Sequence, residues 1–284
     1  MGGSITTRAI GAAALWFVAI AAPAQAQAQA PRWFPAAGTY PYRFETSSVV
    51  PNAPGNSFRL DFDLVSDGKG SLVAVIRGAW HREGAPEWSD AEIDADCRKA
   101  MGAQGDELGR VKLWPFAPDA AGNLDKGLVA DCAPAEIFFP ITEVLTAIQI
   151  QVSPQFGLEK LVKPGDTYQF APYKIALDRN DTVLDLEATG GTLQFASAVP
   201  GRATIAYQPN PSKVIIIHRR AYSGADVTLK GTASGAIRLE IDPGTGVLLG
   251  AEAVGDRLDV TMSLPGDFSQ PLAITREMKI VPRP

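Results

Sequence analysis

The chain has 284 residues, of which 46% are hydrophobic and 20% charged, a balance that excludes intrinsic disorder and permits a large buried core. Its 27 Gly and 22 Pro follow no three-residue period, which excludes collagen and disfavours long uninterrupted helices. With 31 acidic against 26 basic residues the net charge is -5, so a nucleic-acid partner is not expected.

Residues 1–30 read as a cleavable export signal. Arg8 is their only charge, the run from Ala9 to Ala22 is apolar or small, Pro23 ends it, and Ala24-Gln25-Ala26 to Ala30 offers small-x-small cleavage sites. The run is shorter than the roughly 20 apolar residues a spanning helix needs, and no later run approaches that length. The expectation is a soluble periplasmic or secreted protein with no transmembrane segment in the mature chain. Cys97 and Cys132 are the only cysteines. In an exported protein they are most simply one disulfide, because neither has the C-x-x-C spacing or neighbouring His of a metal or redox site.

Beyond the leader the chain is written mostly with period two. Phe58, Leu60, Phe62 and Leu64 alternate with Arg59, Asp61 and Asp63, Asp67-Gly68-Lys69-Gly70 marks a tight turn, and Leu72 to Trp80 returns. The middle differs. Ser89-Asp90-Ala91-Glu92 has the form of a capping box, with Ile93, Cys97, Ala100 and Met101 at helical spacing behind it. A second helix is predicted from Ile141 to Ile148, beginning after Pro140, and a helical turn at Leu158 to Leu161.

After Pro164 the pattern is purely β. Strands are predicted over Thr167 to Leu177, Val183 to Ala188, Thr192 to Ala198, Ala203 to Tyr207, Lys213 to Tyr222 and Asp226 to Gly231, with turns at Arg179-Asn180-Asp181, Gly190-Gly191, Pro200-Gly201 and Pro209-Asn210-Pro211. Ile237, Leu239 and Ile241 then lead into the turn Asp242 to Gly246, Val247 to Val254 returns, Leu258 to Leu264 continues it, and Ile274 to Val281 closes the chain. The predicted class is mainly β (α+β), with curved antiparallel sheets or half-barrels and a short helical insert. The chain divides into the signal (1–30), a β-rich half with a helical, disulfide-linked insert (31–160) and an all-β half (161–284), which packs with the first as one unit or stands as a second domain. Gly38-Thr39-Tyr40 and Gly165-Asp166-Thr167-Tyr168 open these halves similarly.

The segment from Lys163-Pro164-Gly165-Asp166-Thr167-Tyr168, through Lys230-Gly231-Thr232-Ala233-Ser234-Gly235, to the turn at Asp242 to Gly246 resembles bacterial exported β-rich domains of unknown function. More distantly, it is similar to the half-barrel of periplasmic lipoprotein carriers. The likeness covers roughly the last 120 residues. It implies a concave apolar face that holds acyl chains, and it carries over no functional residue.

The chain lacks H-E-x-x-H, G-x-S-x-G, P-loop and dinucleotide motifs, and its only histidines are His81 and His218. No catalytic residue, metal site or cofactor is expected. Asp61, Asp63 and Asp67 lack the spacing of a calcium loop and read as the polar face of a strand. His218-Arg219-Arg220 ends the apolar run Val214 to Ile217 and forms either a cationic rim for an anionic lipid head or a solvated strand end. Trp80 and Trp88 are candidates for a pocket mouth. The aromatics Trp33, Phe34, Tyr40, Tyr42, Phe44, Trp114, Phe116, Phe138 and Phe139 suit a core or a binding chamber alike. The leading expectation is a binding protein of the cell envelope for an apolar or lipid-like ligand; the alternative is a non-catalytic structural or interaction subunit of an envelope complex.

Overall fold

The computed structural model describes residues 30–51, 55–84, 86–113, 130, 132–178, 181–266 and 268–284. The expected leader, apart from Ala30, lies outside these residues, as do Trp114, Phe116 and the turn residues Arg179 and Asn180.

Three antiparallel strands come first: β1 (Gly38–Val49), β2 (Asn56–Ser66) and β3 (Leu72–Glu83). The apolar set Phe44, Leu60, Phe62 and Leu64 turns to one face and is almost fully buried, as alternation requires. The β2–β3 turn is held by Asp67, whose carboxylate accepts from the backbone N–H groups of Lys69, Gly70 and Ser71 at 2.7, 3.0 and 2.9 Å. On the outer face Asp61 pairs with Arg43 at 2.8 Å and Arg283 at 3.1 Å, and Asp63 with Arg77 at 2.7 Å and Arg283 at 3.0 Å. The acidic cluster is thus a ladder of charge-assisted hydrogen bonds.

Ser89 and Asp90 form β4 (Ser89–Asp90), paired with Trp80 and His81, so the expected capping box does not form. Strand pairing has claimed these residues. The cap falls to Asp94, which accepts from the Cys97 N–H at 2.7 Å and starts α1 (Ala95–Ala100). Cys97 faces inward and is bridged to Cys132, with the two Cα atoms 5.6 Å apart. After it β5 (Gly109–Leu113) pairs with β3.

Helix α2 (Ala135–Val152) runs well past both predicted ends, and Pro140 lies inside it. The ring removes one intrahelical hydrogen bond near the start of an 18-residue helix. Packing outweighs this and the β-branched end: Ile137, Ile141, Val144, Leu145, Ile148 and Ile150 are all buried, and the helix lies against β1, β2 and β3. Gln151 fixes its far end by donating to the carbonyls of Trp33 and Gly246. Two 3-10 turns follow at Pro154–Phe156 and Leu158–Lys160.

The remaining strands are β6 (Thr167–Phe170), β7 (Tyr173–Asp178), β8 (Thr182–Ala188), β9 (Gly191–Val199), β10 (Arg202–Pro209), β11 (Ser212–Tyr222), β12 (Ala225–Ile241), β13 (Leu248–Leu264) and β14 (Phe268–Pro282). The stretch expected as one strand from Thr167 to Leu177 is therefore two. It breaks at Ala171-Pro172, where proline cannot donate to a ladder, and β6 pairs with β9 while β7 pairs with β8. Conversely, Gly231 does not end a strand, because β12 continues through it for 17 residues.

Among the described residues, all 14 strands belong to one curved, unclosed antiparallel sheet whose main path is β4-β3-β2-β1-β14-β13-β12-β10-β9-β6, with β5 beside β3. A branch, β12-β11-β8-β7, leaves this path. β12 serves both arms: Val227 to Ala233 pair with β11, while Ile237 to Ile241 pair with β10. Between these ladders, at Ser234 to Ala236, the register against β13 shifts by a bulge, and Gly235 adopts φ 146° with no room for a Cβ beside Asp256. The sheet forks here. One arm wraps around α2; the other extends away from it.

Candidate binding cleft

The fork opens a cleft of about 160 Å³ between α2 and the inner face of the sheet. Its walls are mainly apolar, with Leu186, Ala233, Ile237, Ala253 and Met278 alongside the rings of Tyr173 and Tyr207. The two tyrosine hydroxyls meet at 3.0 Å. Phe156 sits edge-on to Phe170, Tyr173 and Tyr207, with centroids 5.5, 5.8 and 5.7 Å away. Burial pushes the Tyr207 hydroxyl well above the ordinary tyrosine range and the Tyr173 hydroxyl in the same direction.

From the cleft an apolar surface continues along the extended arm. Alternation puts Val214 and Ile216 of β11, Leu229 and Ala233 of β12, Leu258 and Val260 of β13, Leu272 and Ile274 of β14 and Leu184 of β8 on one face, in contact with one another. All nine come from the sheet, and no described residue of a second layer belongs to the cluster. Only Val214, Leu258 and Val260 are buried; the other six are half-buried. At Gly231 the β12 and β13 backbones approach so closely that any Cβ would overlap the Asp259 carbonyl.

Three charged side chains line the cleft. Arg276 of β14 donates to Glu143 of α2 at 2.9 Å and to Asp256 of β13 at 2.7 Å. Burial pushes the Glu143 carboxyl up, opposed by the Arg276 charge. Burial also works against the Arg276 charge, but the two carboxylates outweigh it and hold the guanidinium pKa above its usual value. Two buried atoms of this network, Glu143 Oε2 and Arg276 Nε, have no hydrogen-bond partner. Thr46 lies beside Glu143 and favours its ionised form, yet its single hydroxyl proton goes to the Glu277 carbonyl at 3.0 Å.

The residues singled out in the sequence lie elsewhere. Trp80 pairs with Arg59 and Asp90 across the sheet, and its ring covers Gly78, where a Cβ would overlap it. Trp88 is held between two guanidinium groups, Arg59 at 4.3 Å and Arg82 at 4.6 Å from its ring centroid. With Arg82 it lines a polar cleft bearing Glu45, Glu252, Glu277 and Lys279. These are the alternate positions to inward-facing Phe44, Ala253 and Met278, so this cleft is on the outer face. His218, Arg219 and Arg220 are at the far end of β11, which five strands separate from β3 in the sheet order. Arg219 pairs with Asp178 at 2.7 Å, and Arg220 takes φ 55°, its N–H donating to Asp226 at 3.0 Å. The structure thus does not bring the two tryptophans and the basic triplet into one site.

Sequence reasoning missed Glu143, Asp256 and Arg276, which no spacing connects. One signal was present: Glu143 is the only charge between Ile137 and Val152, and an acid in so apolar a helix demands a partner.

No family model matches the chain, and no curated protein matches it. Among solved structures, one titled "Lipid-protein interactions in lipovitellin" aligns with 88% of this chain at 12% identity and a TM-score of 0.42. The chain spans a quarter of the length of that protein. No described helix is long and apolar enough to cross a membrane.

Proposed function

We propose that this chain is an exported binding protein that holds an apolar or lipid-like ligand in the fork cleft and along the apolar face beyond it. The observation that carries this reading is the uncovered cluster on the extended arm, continuous with the cleft through Ala233. A contiguous apolar surface of this kind marks an interaction site in a soluble protein. The cleft alone, at about 160 Å³, is close to the roughly 150 Å³ that accommodates benzene, so a longer ligand must continue over the open face. Completing the burial of the five half-buried Leu and Ile side chains is worth on the order of 1 kcal/mol apiece, from about 1.5–3 kcal/mol for a whole side chain. The disulfide agrees with an oxidising compartment.

The test is purification of the full chain from its native source, organic extraction and mass spectrometry. Recovery of a stoichiometric amphiphile is expected. Ligand-free protein that also ignores fluorescent apolar probes overturns the reading, and a single stoichiometric protein partner with no small molecule would replace it with a docking role.

A further inference from the structure

The extended arm is one-sided. Its outer face carries Lys174, Asp185, Glu187, Lys213 and Lys230, while its inner face is apolar in register from strand to strand. Leu184, Ile216, Leu229 and Met262 share one row, Val214, Gly231, Val260 and Leu272 the next, and Ala233, Leu258 and Ile274 a third beside the cleft. Towards the hairpin tips Val227, Leu264 and the exposed Phe268 continue the face. The face spans β8, β11, β12, β13 and β14 in sheet order. At ordinary strand spacing this is about 19 Å across, and Ala233 to Val227 is about 20 Å along β12, which makes roughly 380 Å².

Two properties of this surface select among occupants. It is continuous with the cleft through Ala233, so the occupant has to pass from an open face into a cleft of about 160 Å³. A flexible hydrocarbon chain does so and a flat partner sheet does not. The second property is extent. A second copy seated on the face alone would bury roughly 760 Å² in total, below the about 1,200 Å² at which stable interfaces begin. A single alkyl chain, whose width is close to one strand spacing, leaves about three quarters of the face in water. We propose that the occupant is a lipid with two or more acyl chains on one head group, one chain ending in the cleft and the next lying beside it on the open face. This rests on the reading of the arm as an apolar-ligand site and specifies the class of ligand. Joining the chains matters because the loss of translational freedom on binding is incurred once for the molecule rather than once for each chain.

The experiment compares didecanoylphosphatidylcholine with decanoyl lysophosphatidylcholine, which share a head group and a chain length and differ in chain number. Each is added to the full chain below its aggregation range, and binding is read by native mass spectrometry and by displacement of N-phenyl-1-naphthylamine. At saturation at least two lysolipids should bind per chain, one diacyl lipid should exclude them, and the diacyl lipid should bind roughly tenfold more tightly or better. Leu229→Lys puts a charge at the middle of the open face and leaves the cleft intact. It should reduce the count to the lysolipid whose chain ends in the cleft and remove most of the diacyl advantage. A diacyl lipid that binds no more tightly than the lysolipid, or a count of one lysolipid on the unsubstituted protein, overturns the proposal, and neither result depends on a variant folding. So does a lipid-free dimer, or a protein that sediments with phosphatidylcholine vesicles without taking lipid from them. Naphthylamine binding without either phospholipid overturns the proposal and leaves the apolar-ligand reading standing; failure of all three probes removes both.

Discussion

The hydroxyls of Tyr173 and Tyr207 meet at 3.0 Å, and this hydrogen bond ties β7, on the extended arm of the sheet, to β10, on the arm that encloses α2. It is the polar link in an otherwise aromatic cluster at the fork. Tyr173→Phe or Tyr207→Phe should each cost about 1–3 kcal/mol, since the remaining hydroxyl is buried without a partner. The double Phe variant should cost less than the sum of the two, and urea unfolding of the three variants checks it. Both hydroxyls have pKa values raised by burial. Their contribution is therefore complete below the ordinary tyrosine pKa near 10 and declines as pH rises beyond it.

Arg276 is shared by two carboxylates, and its removal would leave both beside each other in the cleft wall. Arg276→Met should destabilise by about 3 kcal/mol, the low end for breaking a buried ion pair, because its side chain is not fully buried. Glu143→Gln should cost less and should flatten the pH profile. The Glu143 carboxyl is raised by burial, so its contribution is complete below the ordinary carboxylate pKa and declines as pH climbs through the raised value. Chemical denaturation of wild type and variant across pH 4 to 8 checks the sign.

Replacing Cys97 and Cys132 by Ser opens a loop with a sequence separation of 35 residues. The chain-entropy relation gives about 4 kcal/mol for that closure. The midpoint of thermal unfolding should fall accordingly, and a reducing agent should reproduce the fall in the unsubstituted protein.

His218 lies near Thr182, with its Nδ1 3.5 Å from the hydroxyl. Burial pushes its pKa down, against the attraction of Asp181. The neutral ring is thus the form the fold favours. Stability from this residue is present above the ordinary His pKa near 6.5 and is lost as pH falls through the lowered value. Titration of the ring protons by NMR should give a midpoint below 6.5, and His218→Gln should remove that part of the acid sensitivity.

The hairpin of β2 and β3, the ladder around Asp242 to Gly246 and the inward Cys97 were legible because each depends on local pattern: period two, turn residues, helical spacing. The elements that differ were decided at long range. Ser89 carries a cap signature but pairs with His81. Pro140 and Ile150 oppose a helix in isolation but are buried in one packed against three strands. Gly231 reads as punctuation, yet it permits the close approach of two long strands. The fork was invisible for the same reason, since β12 changes partner at a bulge whose only local mark is Gly235. The cleft residues Glu143, Asp256 and Arg276 come from three elements joined by tertiary packing, whereas Trp80, Trp88 and the His218 to Arg220 triplet were conspicuous by residue type and proved to lie on an outer face and at a strand end.

The inner face of the extended arm is where the proposed ligand lies. Fluorescence titration of N-phenyl-1-naphthylamine into the full chain, compared with Ile216→Lys and Ala233→Arg, tests it. The unsubstituted protein should bind the probe saturably with a blue-shifted emission; Ala233→Arg, which fills the junction of cleft and face, should abolish binding, and Ile216→Lys should weaken it about tenfold while the far-ultraviolet circular dichroism of both is unchanged. Equal binding by all three folded proteins, or none by the first, would contradict it.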